Sequence, residues 1–288
     1  MKKLLKIHLL VTFAIVSSAT TLRAQWDTLE IFHSPNIGGM NDIHFVGSTG
    51  YVVGSQQVMN IYGQTGIIQK TTDGGLTWSA PQSIFSLGID TIIELRSVYF
   101  ISPSTGYVAA ICVKNPWSAT PYYSTILKTT NGGLTWSVVL STENQMTVQY
   151  TVLFNSIQFM SPTHGFIAAS NQTTSATWSN SGTGLVYVTM DGGISWNSSQ
   201  TSATSLSNTV HFNSSGIGCA AGGVTFNRFG SGPYFDHTTG EIARSTDWGL
   251  TWTTVFSSPD GIIDMHFPSS QIGYALISGN SQLLKTTD

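Results

Sequence analysis

Charged side chains are scarce in this 288-residue chain, in which Asp, Glu, Lys and Arg together make up 9%. Cys112 and Cys219 are the only cysteines, and they fall at non-matching positions of the repeats described below, so no disulfide framework is indicated. The GxSxG, HExxH and P-loop signatures are missing, as is the paired-cysteine spacing of a zinc site. The sequence therefore gives no positive signal for catalysis, for a metal or for a cofactor.

Long apolar runs are also missing from most of the chain. Residues 1–24 combine Lys2, Lys3 and Lys6 with an apolar run and a Leu22-Arg23-Ala24 cleavage site, which predicts a signal peptide and a secreted, periplasmic or cell-surface protein. No later stretch approaches the roughly 20 apolar residues of a membrane helix, so the mature domain, 25–288, is predicted to have no membrane span. Without the leader, 7 basic and 14 acidic side chains remain, and this net charge of −7 argues against a nucleic-acid partner.

An eight-residue motif recurs along the chain. It reads TTDGGLTW at 71–78, TTNGGLTW at 129–136, TMDGGISW at 189–196 and STDWGLTW at 245–252, and a partial copy ends at Asp288. The central Asp or Asn residues are 58, 60, 56 and 41 positions apart. Such a period indicates a repeat protein.

Each repeat also predicts four strands. Segments such as RSVYFISPSTGYVAA supply two strands and a turn, a third strand leads into the motif, and a fourth leaves it. A lone four-stranded sheet cannot bury both faces, so we expect an all-β propeller of four-stranded antiparallel blades. The chain holds four complete repeats and a partial fifth, a pattern that suggests truncation of a longer propeller, although closure of a five-bladed ring by the segment from Trp26 is also conceivable.

The motif has the local chemistry of a tight hairpin. Its Asp or Asn accepts backbone N–H bonds, the glycine two residues later permits positive φ, and the tryptophan packs between sheets. We therefore predict a structural role for four sets of residues. They are Thr71, Asp73, Gly75 and Trp78; Thr129, Asn131, Gly133 and Trp136; Thr189, Asp191, Gly193 and Trp196; and Ser245, Asp247, Gly249 and Trp252.

This S/T-x-D-x-G-x-x-W pattern resembles the Asp-box, or BNR, repeat of sialidases, sortilin-type receptors and Ycf48-like photosystem II assembly factors. The resemblance covers nearly all of the mature chain, with Asn131 in place of Asp in the second box and Trp248 in place of the first glycine in the fourth. It implies a β-propeller. It does not choose a function, because the boxes lie away from the active sites of the family.

The sequence disfavours a sialidase active site and a metal site. A sialidase would need an arginine triad, yet the mature chain has only Arg96, Arg228 and Arg244, and the last stands where other repeats carry lysine. His44, His211 and His266 share one repeat position with Tyr99 and Gln158, so we expect packing or hydrogen bonding there instead of metal binding. A calcium site at the boxes is disfavoured too, since each box offers a single carboxylate.

The connections between second and third strands, 112–124, 171–184 and 223–240, are long and individual, unlike the short, uniform turns of the opposite face. Aromatic side chains on variable loops are typical of recognition surfaces. The predicted ligand-binding residues are Trp117, Tyr122, Tyr123, Trp178, Arg228, Phe229 and Tyr234. The leading hypothesis is a non-catalytic module that binds a protein or carbohydrate; the alternatives are a sialidase-like glycoside hydrolase and a structural module of a larger adhesin.

Overall fold

The fold is taken from a computed structural model, which describes residues 37–58, 64–84, 86–87, 90–114, 122–145, 150–173, 182–202, 207–223, 240–278 and 282–287. All of them belong to one unit, residues 31–288. Among these residues there is no helix long and apolar enough to cross a membrane.

In the described part of the chain, twenty strands form five separate antiparallel sheets. Sheet 1 contains β1 (Ile37–Val46), β2 (Thr49–Gln57), β3 (Gln64–Thr71) and β4 (Gln82–Ser83). Sheet 2 contains β5 (Ser86–Leu87), β6 (Asp90–Phe100), β7 (Gly106–Val113), β8 (Tyr122–Thr129) and β9 (Ser137–Ser141). Sheet 3 contains β10 (Tyr150–Phe159), β11 (Gly165–Thr173), β12 (Gly182–Thr189) and β13 (Asn197–Ser202). Sheet 4 contains β14 (Thr209–Phe212), β15 (Gly218–Gly222), β16 (Gly240–Ser245) and β17 (Thr253–Ser258). Sheet 5 contains β18 (Ile262–His266), β19 (Gly273–Ile277) and β20 (Leu283–Thr286), and a short 3₁₀ helix spans Glu143–Gln145.

Within each sheet every strand pairs with the next strand along the chain. This confirms the predicted all-β propeller of four-stranded antiparallel blades, with four complete repeats and a partial fifth. The sheets depart from uniformity in three ways: β4 has two residues, β5 adds a fifth strand to sheet 2, and sheet 5 has three described strands.

The first long strands of the sheets are β1, β6, β10, β14 and β18, and each of the first four contacts the corresponding strand of the following sheet. We call these the inner strands. The second strand of sheet 2, β7, is buried along its whole length, because sheets 1 and 3 cover the two faces of sheet 2. Four hydrophobic clusters accordingly lie between sheets 1 and 2, 2 and 3, 3 and 4, and 4 and 5.

A phenylalanine and a glycine shape the turn after every inner strand. The phenylalanine pairs across the hairpin with the first glycine of the second strand, as Phe100 does with Gly106 and Phe159 with Gly165. A Cβ on Gly106 or Gly165 would lie 2.5 Å from the ring, so the side chain of glycine is the only one that fits. The phenylalanine ring thereby covers the backbone of the second strand and joins the core between sheets.

Candidate functional site

The polar side chains of the box hairpins form hydrogen bonds within their own hairpins. In the first box the Asp73 carboxylate accepts bonds from the Thr71 hydroxyl at 2.7 Å and from the N–H and hydroxyl of Thr77 at 2.9 and 2.6 Å. The Thr71 hydroxyl oxygen accepts the N–H of Gly75 at 3.0 Å, and the Trp78 indole N–H donates to the Gly75 carbonyl at 3.1 Å. These bonds satisfy the polar groups of a tight hairpin within the hairpin itself.

The two residues that depart from the box pattern, Asn131 and Trp248, still adopt the hairpin geometry of the other boxes. Asn131 accepts the Thr135 N–H with its amide oxygen at 2.9 Å and donates its amide N–H to the Thr135 hydroxyl at 2.8 Å. Trp248 adopts φ 61°, the conformation that glycine has in the other boxes. Its ring lies parallel to Phe166 of sheet 3 and 5.1 Å from His164, so a contact with the preceding sheet accompanies this unfavourable backbone.

Hydrogen bonds from Ser195, Thr189 and Ile194 lower the pKa of Asp191 from 3.8 to about 2. A carboxylate with a lowered folded-state pKa contributes stability above pH 3.8 and loses it as the pH falls through 2. We expect Asp191→Asn to unfold close to the wild-type temperature at pH 7, because Asn131 serves the same role, and to lose less stability than wild type between pH 4 and 2. Asp191→Ala should melt lower at both pH values, and thermal unfolding followed by circular dichroism checks this.

The second and third boxes also form hydrogen bonds with the preceding sheet. The Gly132 carbonyl accepts bonds from the Tyr51 hydroxyl at 3.3 Å and from the Lys70 ammonium at 3.2 Å, both in sheet 1. At the next junction the Gly192 carbonyl accepts from Tyr107 at 2.7 Å and from Lys128 at 2.8 Å. The sequence showed the repeated lysine but not its partner, because the partner lies in the following repeat. We call this Tyr–Lys pair the box latch.

The repeat position of His44, Tyr99, Gln158 and His211 connects the inner strands. His44 Nδ1 accepts the Phe100 N–H at 3.3 Å, and the Gln158 amide oxygen accepts the Phe212 N–H at the same distance. The His44 and Tyr99 rings are 4.1 Å apart. The predicted hydrogen-bonding role is confirmed, and within the described residues no three His, Cys, Asp or Glu side chains group as metal ligands.

Burial lowers the pKa of His44 below 6.5 against the opposing effect of Asp42, while burial and then His266 lower that of His211. A histidine kept neutral in the fold favours folding above pH 6.5 and disfavours it as the pH falls below that value. We therefore expect the unfolding temperature to fall between pH 7.5 and 5. His44→Gln should reduce this dependence, since glutamine serves at position 158, and Gln158→His should increase it. A melting curve that is equally pH-dependent in all three proteins would contradict the assignment.

Bulges in the inner strands point polar side chains toward neighbouring sheets. The pairing register between the inner and second strands shifts at Asn41, Arg96 and Asn155. The side chain of a bulged residue points in a different direction from those of its regular neighbours. Arg96 donates to the Asn155 side-chain oxygen at 2.6 Å, and its Nε lies 3.7 Å from a Glu94 carboxylate oxygen. Asn41 donates to Glu94 at 3.0 Å.

The three arginines that a sialidase triad would need lie apart in sequence and setting. Arg96 is held within the cluster of Glu94 and Asn155, Arg244 is exposed on β16, and Arg228 lies outside the described residues.

The loop face, which bears the connections between second and third strands, is described best in sheet 2. Lys114, just after β7, forms an ion pair with Glu143 at 2.6 Å, and their side chains are 45% and 32% exposed. Tyr122 opens β8 opposite Val113 and is half-buried against the apolar cluster of Ile93 and Leu153. We call Lys114, Tyr122 and Glu143 the loop-face patch.

The other predicted ligand-binding residues divide into two groups. Tyr123 is 4% exposed and packs in the core between sheets 1 and 2, which gives it a structural place. The remaining five lie outside the described residues: Trp117, Trp178, Arg228, Phe229 and Tyr234. The structure therefore assigns one of the seven, Tyr122, to the loop face.

A cavity of about 1070 Å³ lies between sheets 4 and 5, lined by Cys219, Arg244, Phe256 and Phe267 among others. Burial raises the pKa of the Cys219 thiol to about 11 against the effect of Arg244, so the thiol is protonated and unreactive at neutral pH. Cys219 and Arg244 occupy the positions of the box latch, which at the first two junctions holds the following box. The partial box of sheet 5 includes Asp288, which lies outside the described residues.

No family model and none of the curated proteins matches the chain. Among solved structures, YCF48 bound to a D1 peptide is 17% identical, with 88% of this chain and 80% of that chain covered and a TM-score of 0.40. A family 25 polysaccharide lyase, an ulvan lyase bound to -[GlcA(1-4)Rha3S]-, is 11% identical, with 85% and 63% covered and a TM-score of 0.55. An ancestral enzyme of glycoside hydrolase family 74 is 16% identical, with 88% and 32% covered and a TM-score of 0.52.

The chain thus spans less than two thirds of the length of the lyase and of the hydrolase. At these identities the likeness concerns the fold. The five successive sheets, the box hairpins between their third and fourth strands and these structural neighbours together show a β-propeller built from Asp-box-like repeats.

Proposed function

We propose that this chain is an exported, non-catalytic binding module whose protein or glycan ligand contacts the loop face. The observation that carries the proposal is the contrast between the two faces. On the box face, the box side chains bond within their own hairpins and the Gly132 and Gly192 carbonyls bond to the preceding sheet. On the loop face, the loop-face patch combines the half-buried Tyr122 with the ion pair of the exposed Lys114 and the partly exposed Glu143.

Such a patch suits recognition on physical grounds. A tyrosine anchored in an apolar cluster loses little conformational freedom on binding, and its ring offers area to a sugar face or to an apolar side chain. The ion pair beside it donates and accepts hydrogen bonds. The aromatic residues of 115–121, 174–181 and 224–239 are proposed to extend the patch, and removal of residues 1–24 on export is proposed to precede binding.

The test uses the labelled mature chain, 25–288, on a glycan array and on a displayed peptide library. For the best-bound probe, we expect Tyr122→Ala to raise Kd about tenfold, because an anchoring aromatic commonly contributes 1–2 kcal/mol. Biolayer interferometry with the same immobilised probe measures the change. The matched control is Leu134→Ala, which truncates a 78% exposed aliphatic side chain on the box face and should leave Kd unchanged.

Two results would count against the proposal. Equal weakening by Leu134→Ala would place the ligand elsewhere, and blank arrays with the folded wild type would remove the binding role. Release of reducing ends from polysaccharides on the array would instead favour the hydrolase alternative. Tyr122→Phe keeps the packing of the ring and separates a binding defect from a folding defect.

A further inference from the structure

The junction between sheets 3 and 4 has no Tyr–Lys box latch. The latch positions of sheet 3 are the cross-strand pair Phe166 and Val188, which are 0% and 5% exposed. Neither side chain can donate a hydrogen bond. The box that follows has Trp248 where the second and third boxes have a glycine. The loss of both latch donors and the gain of an aromatic ring therefore occur at the same junction.

The Trp248 ring supplies the inter-sheet contact there. The Trp248 N–H donates to the Gly216 carbonyl at 3.1 Å, as the Gly132 N–H donates to the Ser104 carbonyl at 2.7 Å, so the two boxes are anchored alike. The Trp248 ring lies parallel to the Phe166 ring, with 6.4 Å between the centroids. It packs against the hydrophobic cluster that contains Phe166 and Val188. An apolar contact thus stands where the other junctions have hydrogen bonds.

The turn of sheet 4 makes room for this ring. A Cβ on Gly216 would lie 2.4 Å from the Trp248 ring, and the equivalent turn residues of sheets 2 and 3 are Ser104 and Thr163. Sheets 3 and 4 therefore differ from the earlier junction at matching positions on both sides of the contact. We use the name aromatic latch for Phe166, Val188, Gly216 and Trp248.

The two kinds of latch exclude each other. A Cβ on Gly132 would lie 3.0 Å from the Lys70 ammonium nitrogen and 3.4 Å from the Tyr51 hydroxyl oxygen, so a tryptophan does not fit after a Tyr–Lys pair. A glycine box placed on Phe166 and Val188 would leave apolar surface uncovered, and its carbonyl would lack the two donors of the box latch. Each kind of box therefore fits one kind of preceding sheet.

We propose that the aromatic latch sorts the repeats during folding, so that the box of sheet 4 packs on sheet 3 and not on sheets 1 or 2. The second, third and fourth boxes are otherwise alike, and repeats with similar faces are prone to misassembly. Among the described residues, Trp248 is the only non-glycine residue with positive φ. A residue kept in an unfavourable conformation at a contact that excludes other pairings is typical of a device that gives up stability for specificity.

A double-mutant cycle on the mature chain tests the exclusion. Trp248→Gly removes the ring, and Phe166→Tyr with Val188→Lys installs a box latch on sheet 3. Each change alone mismatches the junction and should lower the urea midpoint by about 0.5–1 M. All three substitutions together restore a matched junction and should recover most of that loss. Circular dichroism follows unfolding, and losses that simply add up overturn the proposal.

A second cycle avoids a buried lysine, in case the variant with the new latch does not fold. Gly216→Ala places a methyl group against the Trp248 ring, so it should lower the urea midpoint about twice as far in wild type as in Trp248→Gly. The positive φ of Gly216 penalises alanine equally in both backgrounds. The matched control is Gly74→Ala, also at positive φ but with no heavy atom within 4 Å of its Cβ, which should lose the same in both. Equal losses for Gly216→Ala overturn the proposal.

Refolding tests the sorting itself. In the variant with all three substitutions, the second, third and fourth boxes meet the same kind of latch, so a wrong pairing is no longer excluded. After dilution from urea to about 5 µM, its yield of monomer should fall about twofold below that of wild type, with the remainder in misassembled species. Size-exclusion chromatography with light scattering measures both fractions. A wild type that recovers no more monomer than this variant overturns the sorting role.

Discussion

Replacing Gly106 by alanine is expected to lower the free energy of unfolding by about 3 kcal/mol, the upper part of the range for overpacked cores. The new Cβ would lie 2.5 Å from the Phe100 ring, and that ring is 1% exposed. Tyr51 stacks on it at 3.5 Å and Trp136 meets its edge at 6.2 Å. The ring has no direction in which to move without displacing the core between sheets 1 and 2.

The matched control is Gly50→Ala, which places the same methyl 2.5 Å from the Phe45 ring. Phe45 is 40% exposed, so its ring can turn away into solvent and the cost should stay below about 1 kcal/mol. Urea unfolding at low protein concentration, followed by circular dichroism, gives both values. Equal losses would mean that glycine is required for the backbone of the turn and not for the fit of the ring.

The repeat carried most of the fold prediction, because strands, turns and boxes depend on local signals that recur in every unit. The hydrogen bonds of Asp73 join residues at most four positions apart, so the chemistry of the hairpin was readable from one motif. The phenylalanine and glycine of the first turn recur in the sequence as well. Their contact becomes visible only when the register pairs Phe100 with Gly106.

The contacts between repeats could not be predicted from the sequence. Lys70 repeats at a fixed place, but its acceptor, the Gly132 carbonyl, lies 62 residues away and is a backbone atom that no residue type marks. On the loop face, the alternation of side chains along a strand could have predicted which tyrosine is buried. Adjacent residues of a strand point to opposite sides, so Tyr122 and Tyr123 cannot both face one ligand, and the structure buries Tyr123.

The polar cluster around Asn155 supplies the second large effect, because this side chain connects three parts of the chain. Its amide N–H groups donate to the Ser170 hydroxyl and the Ser207 carbonyl, both at 2.8 Å, and its oxygen accepts from Arg96 at 2.6 Å. We expect Asn155→Ala to lower the free energy of unfolding by about 2–3 kcal/mol, since it leaves partly buried partners without these bonds. Chemical unfolding of the variant and of wild type under the same conditions measures the difference.

Asn41 provides the matched control, because it occupies the equivalent bulge and donates to Glu94 at 3.0 Å and to the Leu95 carbonyl at 2.8 Å. It is exposed, so water can replace it, and Asn41→Ala should cost less than about 1 kcal/mol. Asn155→Asp separates the two roles of the amide: it keeps an acceptor for Arg96 but removes the donors to Ser170 and Ser207. If Asn155→Asp were as stable as wild type, the contact with Arg96 alone would account for the cluster, and the link to Ser207 would carry no stability.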